Sequence, residues 1–318
     1  MLGNVSCVFT EPDEYETNAS EAKIECVVPG RGQFKATHTR VELGELLLLR
    51  NQEELANISY VGLAPQLVFV ALPKLFDPPP IWNGQELRSG ELVFHGRGEH
   101  IHHRTSGASE KGFIALTPEK LASWGRILAE KEIAPPTCGR ILRPSSRSAG
   151  RLLYLFGSAC RLVEMSPETI AHPEVARALE QELIPALIAC LLPDERTFGP
   201  SFKPRHSAVM SRFEEALAAH AGGPLHMPDL CRAIDTSERT LRTCCADFLG
   251  LSPARYFRLR QLKFARTALR KSDPATASVG AIAKRYGFGE VGRFASLYRT
   301  AYGETPSTTL QARRRQDA

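Results

Sequence analysis

The chain has no stretch approaching the ~18 consecutive apolar residues needed to cross a bilayer; its densest runs, Leu46 to Leu49 and Leu183 to Leu192, are broken by charge or proline. The start, Met1-Leu2-Gly3-Asn4, lacks the basic stretch and apolar core of a secretory signal. Its eight cysteines are scattered without a CxxC or a His/Cys ligand spacing, which argues against a disulfide framework or a zinc site. These gaps point away from membrane and export and toward a cytoplasmic protein. The expectation is no catalytic centre, no cofactor and no metal.

What is present is a charge split. From residue 203 onward there are 20 Lys+Arg against 10 Asp+Glu, a balance of +10, whereas residues 1–202 hold 20 against 25, a balance of −5; together they give the overall +5. A basic C-terminal third behind an acidic body suggests a polyanion-binding domain fused to one that does not bind polyanions. At 318 residues two domains are expected, divided at about residue 200 where Pro193 to Pro204 interrupts helical patterning: 1–200 and 201–318.

From Phe34 to about Thr117, short apolar or alternating runs punctuated by Gly, Pro and Asn read as strands of a small barrel or sandwich, able to hold one small ligand. His95, His100, His102 and His103 invite a metal reading, and with it a rival function, a metal-dependent enzyme with a basic tail. No carboxylate stands at a fixed motif spacing, and Arg97 and Arg104 would repel a cation. Trp82, His102 and Arg104 are instead candidates for a ligand pocket, the arginine meeting a carboxylate. Helical periodicity takes over at Pro118: Leu121, Trp124, Ile127 and Leu128 form one apolar face, and stripes recur from Leu152 to Val163 and from Pro173 to Leu192. They serve packing against the barrel or self-association.

The basic domain writes one pattern twice. Leu230 to Ile234, Thr236-Ser237, Leu241 and Gly250-Leu251-Ser252-Pro253 return as Ile282 to Tyr286, Gly287-Phe288-Gly289, Phe294 and Gly303-Glu304-Thr305-Pro306. The offset is 52 residues before the turn and 53 after it. Short helix, tight turn and second helix with a polar leading face is the layout of a helix-turn-helix. In the first copy Arg239, Thr240, Arg242 and Thr243 are candidate base readers, since arginine can bond guanine O6 and N7 bidentately and threonine can meet a thymine methyl. In the second, Val291, Gly292, Arg293 and Ser296 are exposed; Arg293 is the best base or phosphate contact, and because Val291 and Gly292 offer no hydrogen bonds this copy is expected to read DNA weakly or mainly to fix register on the backbone. The long helix between the copies, Ala254 to Arg270, carries a basic face that would reach phosphates.

Residues 206–310 resemble the paired helix-turn-helix domain of the AraC/XylS family of bacterial transcription regulators. The resemblance rests on Ile282-Ala283, Gly287-Phe288, Phe294 and Gly303-Glu304-Thr305-Pro306, seconded by Ser237, Leu241, Gly250-Leu251-Ser252-Pro253 and Arg260-Gln261-Leu262. It departs at Cys244-Cys245, Val291-Gly292 and Leu297-Tyr298. The resemblance implies an α+β protein: an N-terminal cupin-like barrel with appended helices for effector sensing and dimerisation, and an all-α double helix-turn-helix. Its implied partners are double-stranded promoter DNA, a small-molecule effector, a second copy of the chain and, for an activator, RNA polymerase.

Overall fold

The structure, a computed structural model, describes residues 3–17, 21–30, 32–73, 78–192, 204–220 and 226–312. The break expected at Pro193 to Pro204 falls almost wholly outside the described residues.

The N-terminal part is sheet-rich. Its strands are β1 (Val5–Phe9), β2 (Ala22–Val27), β3 (Ala36–Leu43), β4 (Leu46–Glu53), β5 (Ile58–Leu63), β6 (Val68–Pro73), β7 (Ile81–Trp82), β8 (Gln85–Glu86), β9 (Leu92–Phe94), β10 (His100–Arg104), β11 (Ser109–Leu116) and β12 (Arg140–Leu142). They make a seven-stranded sheet ordered β1-β3-β4-β11-β6-β9-β12 and a five-stranded sheet ordered β2-β5-β10-β7-β8. Among the described residues no ladder joins the two sheets, so the expected barrel is an unclosed pair of sheets. Every described pairing is antiparallel.

Alternation along the strands decides what each face packs against. In β6 all six residues are buried. Val68, Val70 and Leu72 join the core under the helices, while Phe69 and Ala71 join the core between the sheets with Trp82, Ile101 and Phe113. That two-sided burial explains why the run reads as continuously apolar in the sequence. The covering helices are α2 (Pro118–Ala129), α3 (Ser146–Met165), the single turn α4 (Pro167–Ile170) and α5 (Pro173–Leu191). Leu121 packs as expected, but Ile127 and Leu128 on the same helix are 63% and 43% exposed, so α2 uses only part of its apolar face.

The C-terminal part is all helical: α6 (Pro204–Ala219), α7 (Met227–Ala233), α8 (Glu238–Leu249), α9 (Pro253–Lys271), α10 (Val279–Arg285), α11 (Val291–Tyr302) and α12 (Pro306–Ala312). Two cores divide it. The first gathers Phe213, Leu241, Cys244, Cys245 and Phe248; the second gathers Leu269, Ile282, Phe294 and Tyr298. Val27 and Ile58, from the five-stranded sheet, belong to the first of these cores, so the two parts of the chain share apolar packing.

That contact involves an element absent from the sequence reading, the short helix α1 (Pro12–Thr17). Its carboxylates and those around it meet the basic stripe of α9. Lys263 bonds Glu16, Arg266 bonds Glu11, and Arg270 bonds Asp13 and Glu14 at 2.8 Å each. Farther along, Arg260 joins Glu25 of β2 to Glu214 of α6. The face of α9 expected to reach phosphates is therefore largely committed to the N-terminal part; Arg255 and Arg258 remain exposed. Apart from Glu14 at 54%, the side chains in this group are no more than 26% exposed. Ion pairs so shielded are stronger individually than solvated ones, yet part of that strength offsets desolvation.

Candidate nucleic-acid interface

The two reading helices are framed by the same local bonds, 52 or 53 residues apart. In the first copy the Thr236 N–H donates to the Cys231 carbonyl at 3.0 Å; in the second the Phe288 N–H donates to Ala283 at 2.9 Å. Each bond closes a turn whose preceding residue is left-handed, Asp235 at φ +48° and Gly287 at φ +80°. Aspartate tolerates that region better than most residues and glycine occupies it freely. Each reading helix then stops at a left-handed glycine, Gly250 or Gly303, whose N–H bonds back four residues to Ala246 or Arg299.

The starts differ. Ser237 caps α8, its side chain accepting from the Thr240 N–H at 3.1 Å. Glu290 precedes α11 and makes no side-chain cap. The Ser237 and Thr240 hydroxyls lie 2.8 Å apart, while Thr243 donates its hydroxyl to the Arg239 carbonyl at 3.0 Å. Both threonine hydroxyls are thus engaged by the helix itself. Arg242 is exposed but bonds Glu238 at 2.5 Å. Arg239 is exposed and has no ion pair among the described residues. On α11, Val291, Gly292, Arg293 and Ser296 are all exposed, and Phe294 and Tyr298 point into the core. The structure thus places all eight candidates on or near exposed leading faces, but leaves Arg239 and Arg293 as the cations least encumbered.

The first reading helix meets the N-terminal part through its C-terminal end. Phe248 lies edge-on to His102 at 5.6 Å and beneath Gly84, where an added Cβ would come within 2.7 Å of its ring. Arg299 to Glu304, at the end of α11, line a cleft of about 1180 Å³ shared with Glu11 to Glu14. The N-terminal ends, with the candidate base readers, stand clear of that contact.

The three residues proposed to share a ligand pocket are separated by strand alternation. Trp82 pairs in register with His103; it is fully buried between the sheets against His95, His103 and Phe113. His102 and Arg104 occupy the other face of β10. His102 Nε2 lies 3.0 Å from Glu214 Oε1, and the Arg104 guanidinium abuts Gly250, where burial pushes its pKa down. The histidine cluster divides the same way: His100 stacks on Tyr60 outside, while burial, then the charge of Lys111, holds His103 well below its ordinary value inside. Among the described residues no group of three His, Cys, Asp or Glu is arranged to hold a metal. The eight cysteines are free. Between the sheets a cavity of about 30 Å³ remains, room for one or two waters.

The residues the sequence reading missed are Glu11, Asp13, Glu14, Glu16 and Glu25. Their signal was a dense run of carboxylates in the acidic half, facing a stripe at 260, 263, 266 and 270 that recurs at helical spacing.

Comparison with known proteins agrees with this geometry. The family model described as a helix-turn-helix domain matches residues 230–312. The chain is 33% identical over 147 residues to the probable thc operon regulatory protein of Rhodococcus erythropolis, covering 46% of this chain and 44% of that protein. It is 40% identical over 78 residues to the XylDLEGF operon transcriptional activator 1 of Pseudomonas putida, 24% of each. The chain thus matches less than half the length of these curated relatives. Among solved structures, the AraC-like transcriptional activator CuxR aligns over 98% of this chain and 100% of its own at 14% identity and a TM-score of 0.41. A probable AraC family regulator from Rhodopseudomonas palustris aligns over 33% of this chain and 95% of its own at 33% identity and a TM-score of 0.29. The relatives matched are regulators rather than enzymes, and residues 230–312 of this chain are similar to the helix-turn-helix domain that the family model describes.

Proposed function

We propose that the protein is a sequence-specific DNA-binding transcription regulator. The observation that carries this reading is the pair of helix-turn-helix units, each closed by the same turn bond and each holding the leading end of its second helix exposed. The nineteen-residue α9 between them is about 28 Å long at ~1.5 Å per residue, on the order of one DNA turn of ~34 Å. Arg239 reads a base from α8 and Arg293 holds the backbone from α11, with Thr240, Arg242, Thr243, Val291, Gly292 and Ser296 completing the contact.

The division into a regulatory part, residues 1–200, and a DNA-binding part, residues 201–318, belongs to the same proposal. The regulatory part is a cupin-like sheet pair that responds to a small effector. The cleft of about 1180 Å³ beside α1 supports that role better than the 30 Å³ between the sheets. Leu153, Tyr154 and Met165 of α3, 36%, 69% and 79% exposed, favour a homodimer through this helix. The regulator works in the bacterial cytoplasm and, as an activator, meets RNA polymerase there.

Selection of bound sequences from random duplex DNA by the full chain, followed by titration against salt, tests the central claim. A recovered consensus bound more tightly than scrambled duplex is the expected result. Equal affinity for both would end the reading.

A further inference from the structure

A cavity of about 190 Å³ lies at the joint between the two helix-turn-helix units. Its walls come from His220, just past α6, from Phe257, Arg260 and Phe264 along α9, and from Arg285 and Tyr286 where α10 ends. The rings form two pairs. His220 meets Phe257 edge-on at 5.2 Å, and Phe264 lies 6.5 Å from Tyr286 with 31° between their planes. Such surfaces favour a flat apolar body.

The polar groups give that body a sign. His220 Nε2 and Arg260 Nε are buried and have no hydrogen-bond partner. Arg285 is exposed, rests over the Tyr286 ring at 5.8 Å and makes no ion pair among the described residues. No described carboxylate lines the space. Aromatic walls alone would suit an organic cation, but Arg260 is already matched by Glu25 and Glu214, which leaves the unpaired Arg285, with no described carboxylate lining the space, to repel one. The volume corresponds to about six waters at ~30 Å³ each, below the ~300 Å³ of drug-sized sites.

We propose that this joint binds a small planar aromatic monoanion, an aryl carboxylate of one or two fused rings. The rings lie among Phe257, Phe264 and Tyr286, and the carboxylate meets Arg285. Tyr286 immediately precedes the left-handed Gly287, so an occupant ties the turn that aims α11 to the spacer helix α9. This regulation sits within the DNA-binding part and does not require a ligand in the N-terminal part.

The test uses the full chain and 2-naphthoate as probe, with binding read by titration calorimetry in the absence of DNA. Wild type is expected to bind with a dissociation constant of about 1 mM or tighter, and 2-naphthylmethylammonium to bind at least ~10-fold more weakly. Arg285→Ala, at an exposed position, and Phe264→Ala are each expected to weaken 2-naphthoate ~10-fold or more, about the contribution of one charge-assisted bond or one ring contact. Arg126→Ala, at an exposed position on α2, leaves it unchanged. Circular dichroism melting verifies that each variant is folded. Absence of binding, equal binding of the ammonium analogue, or unchanged binding in Arg285→Ala overturns the site. Because no DNA is present, any of these results leaves the regulator reading standing, and loss of DNA selectivity would leave this site standing.

Discussion

Arg266 grips Glu11 through two hydrogen bonds, Nε to Oε2 at 3.1 Å and Nη2 to Oε1 at 2.9 Å, across 255 residues of chain. The same guanidinium reaches Glu304 at 2.6 Å, just beyond the end of α11. Burial works against its charge, but the hydrogen bonds it donates to Glu11, the charge nearby and the bond it donates to Glu304 together raise its pKa. One side chain therefore ties the N-terminal part to both the spacer and the second helix-turn-helix.

A double-mutant cycle on Glu11→Gln and Arg266→Gln measures that tie. Each single change is expected to cost about 1–3 kcal/mol, as for loss of one partner of a shielded charged hydrogen bond. The double variant should cost clearly less than their sum. Simple additivity in urea unfolding would mean the pair contributes no coupling.

The reading helices predict unequal losses. Arg239→Ala should relax discrimination at one base position by ~1–3 kcal/mol, whereas Arg293→Ala should weaken all sequences alike and reduce the salt slope by about 1. Arg242, held by Glu238, must release that carboxylate before it reads a base, so Glu238→Gln should strengthen binding. Competition assays on single-base variants of the recovered site check all three; identical profiles for Arg239→Ala and Arg293→Ala would refute the division of labour.

Gly84 and Gly90 offer a controlled comparison. Both are left-handed, at φ +74° and +79°, but an added Cβ meets Phe248 at 2.7 Å in the first and nothing within 4 Å in the second. Gly90→Ala should therefore cost only the ~1–2 kcal/mol of the backbone conformation. Gly84→Ala should cost ~1–3 kcal/mol more through overpacking against a buried ring. Thermal unfolding of the two variants decides; equal losses would mean the sheet does not press on α8.

Acid should weaken the fold through His103. Burial, then Lys111, keeps its imidazole neutral well below its ordinary value, while in the unfolded chain it titrates near ~6.5. Stability is complete above that pH and is lost as pH falls toward the depressed native value, by up to ~1.4 kcal/mol per pH unit. His38, also lowered by burial despite its bond to Asn51, acts in the same direction. The melting temperature should drop between pH 7 and pH 5, and His103→Gln should shrink the drop; an undiminished drop would assign it elsewhere.

The doubled motif was legible because its determinants are local. A left-handed residue before a five-residue bond, a closing glycine and a following proline recur at fixed offsets whatever packs around them. The longer strands between Ala36 and Leu116 were legible from alternation and turn residues, whereas the two-residue β7 and β8, Ile81–Trp82 and Gln85–Glu86, were not. The segment Val5 to Val27 was not, since one turn of helix and two short strands carry no periodicity. Nor was the separation of Trp82 from His102, which depends on β7 pairing with β10 at Trp82 and His103. The docking of α1 on α9 joins residues more than 240 positions apart, and charge balance by domain indicates that opposite signs exist without placing one on the other.

A helix held at one end is a lever. The first reading helix touches the N-terminal part near its C-terminal end and is twelve residues, about 18 Å long. A tilt of about 5° at the held end moves the free end by about 1.6 Å, nearly half the ~3.4 Å between successive base pairs. Repacking around His102 and Phe248 too slight to disturb either core would thus bring a side chain on α8 onto its base or lift it away.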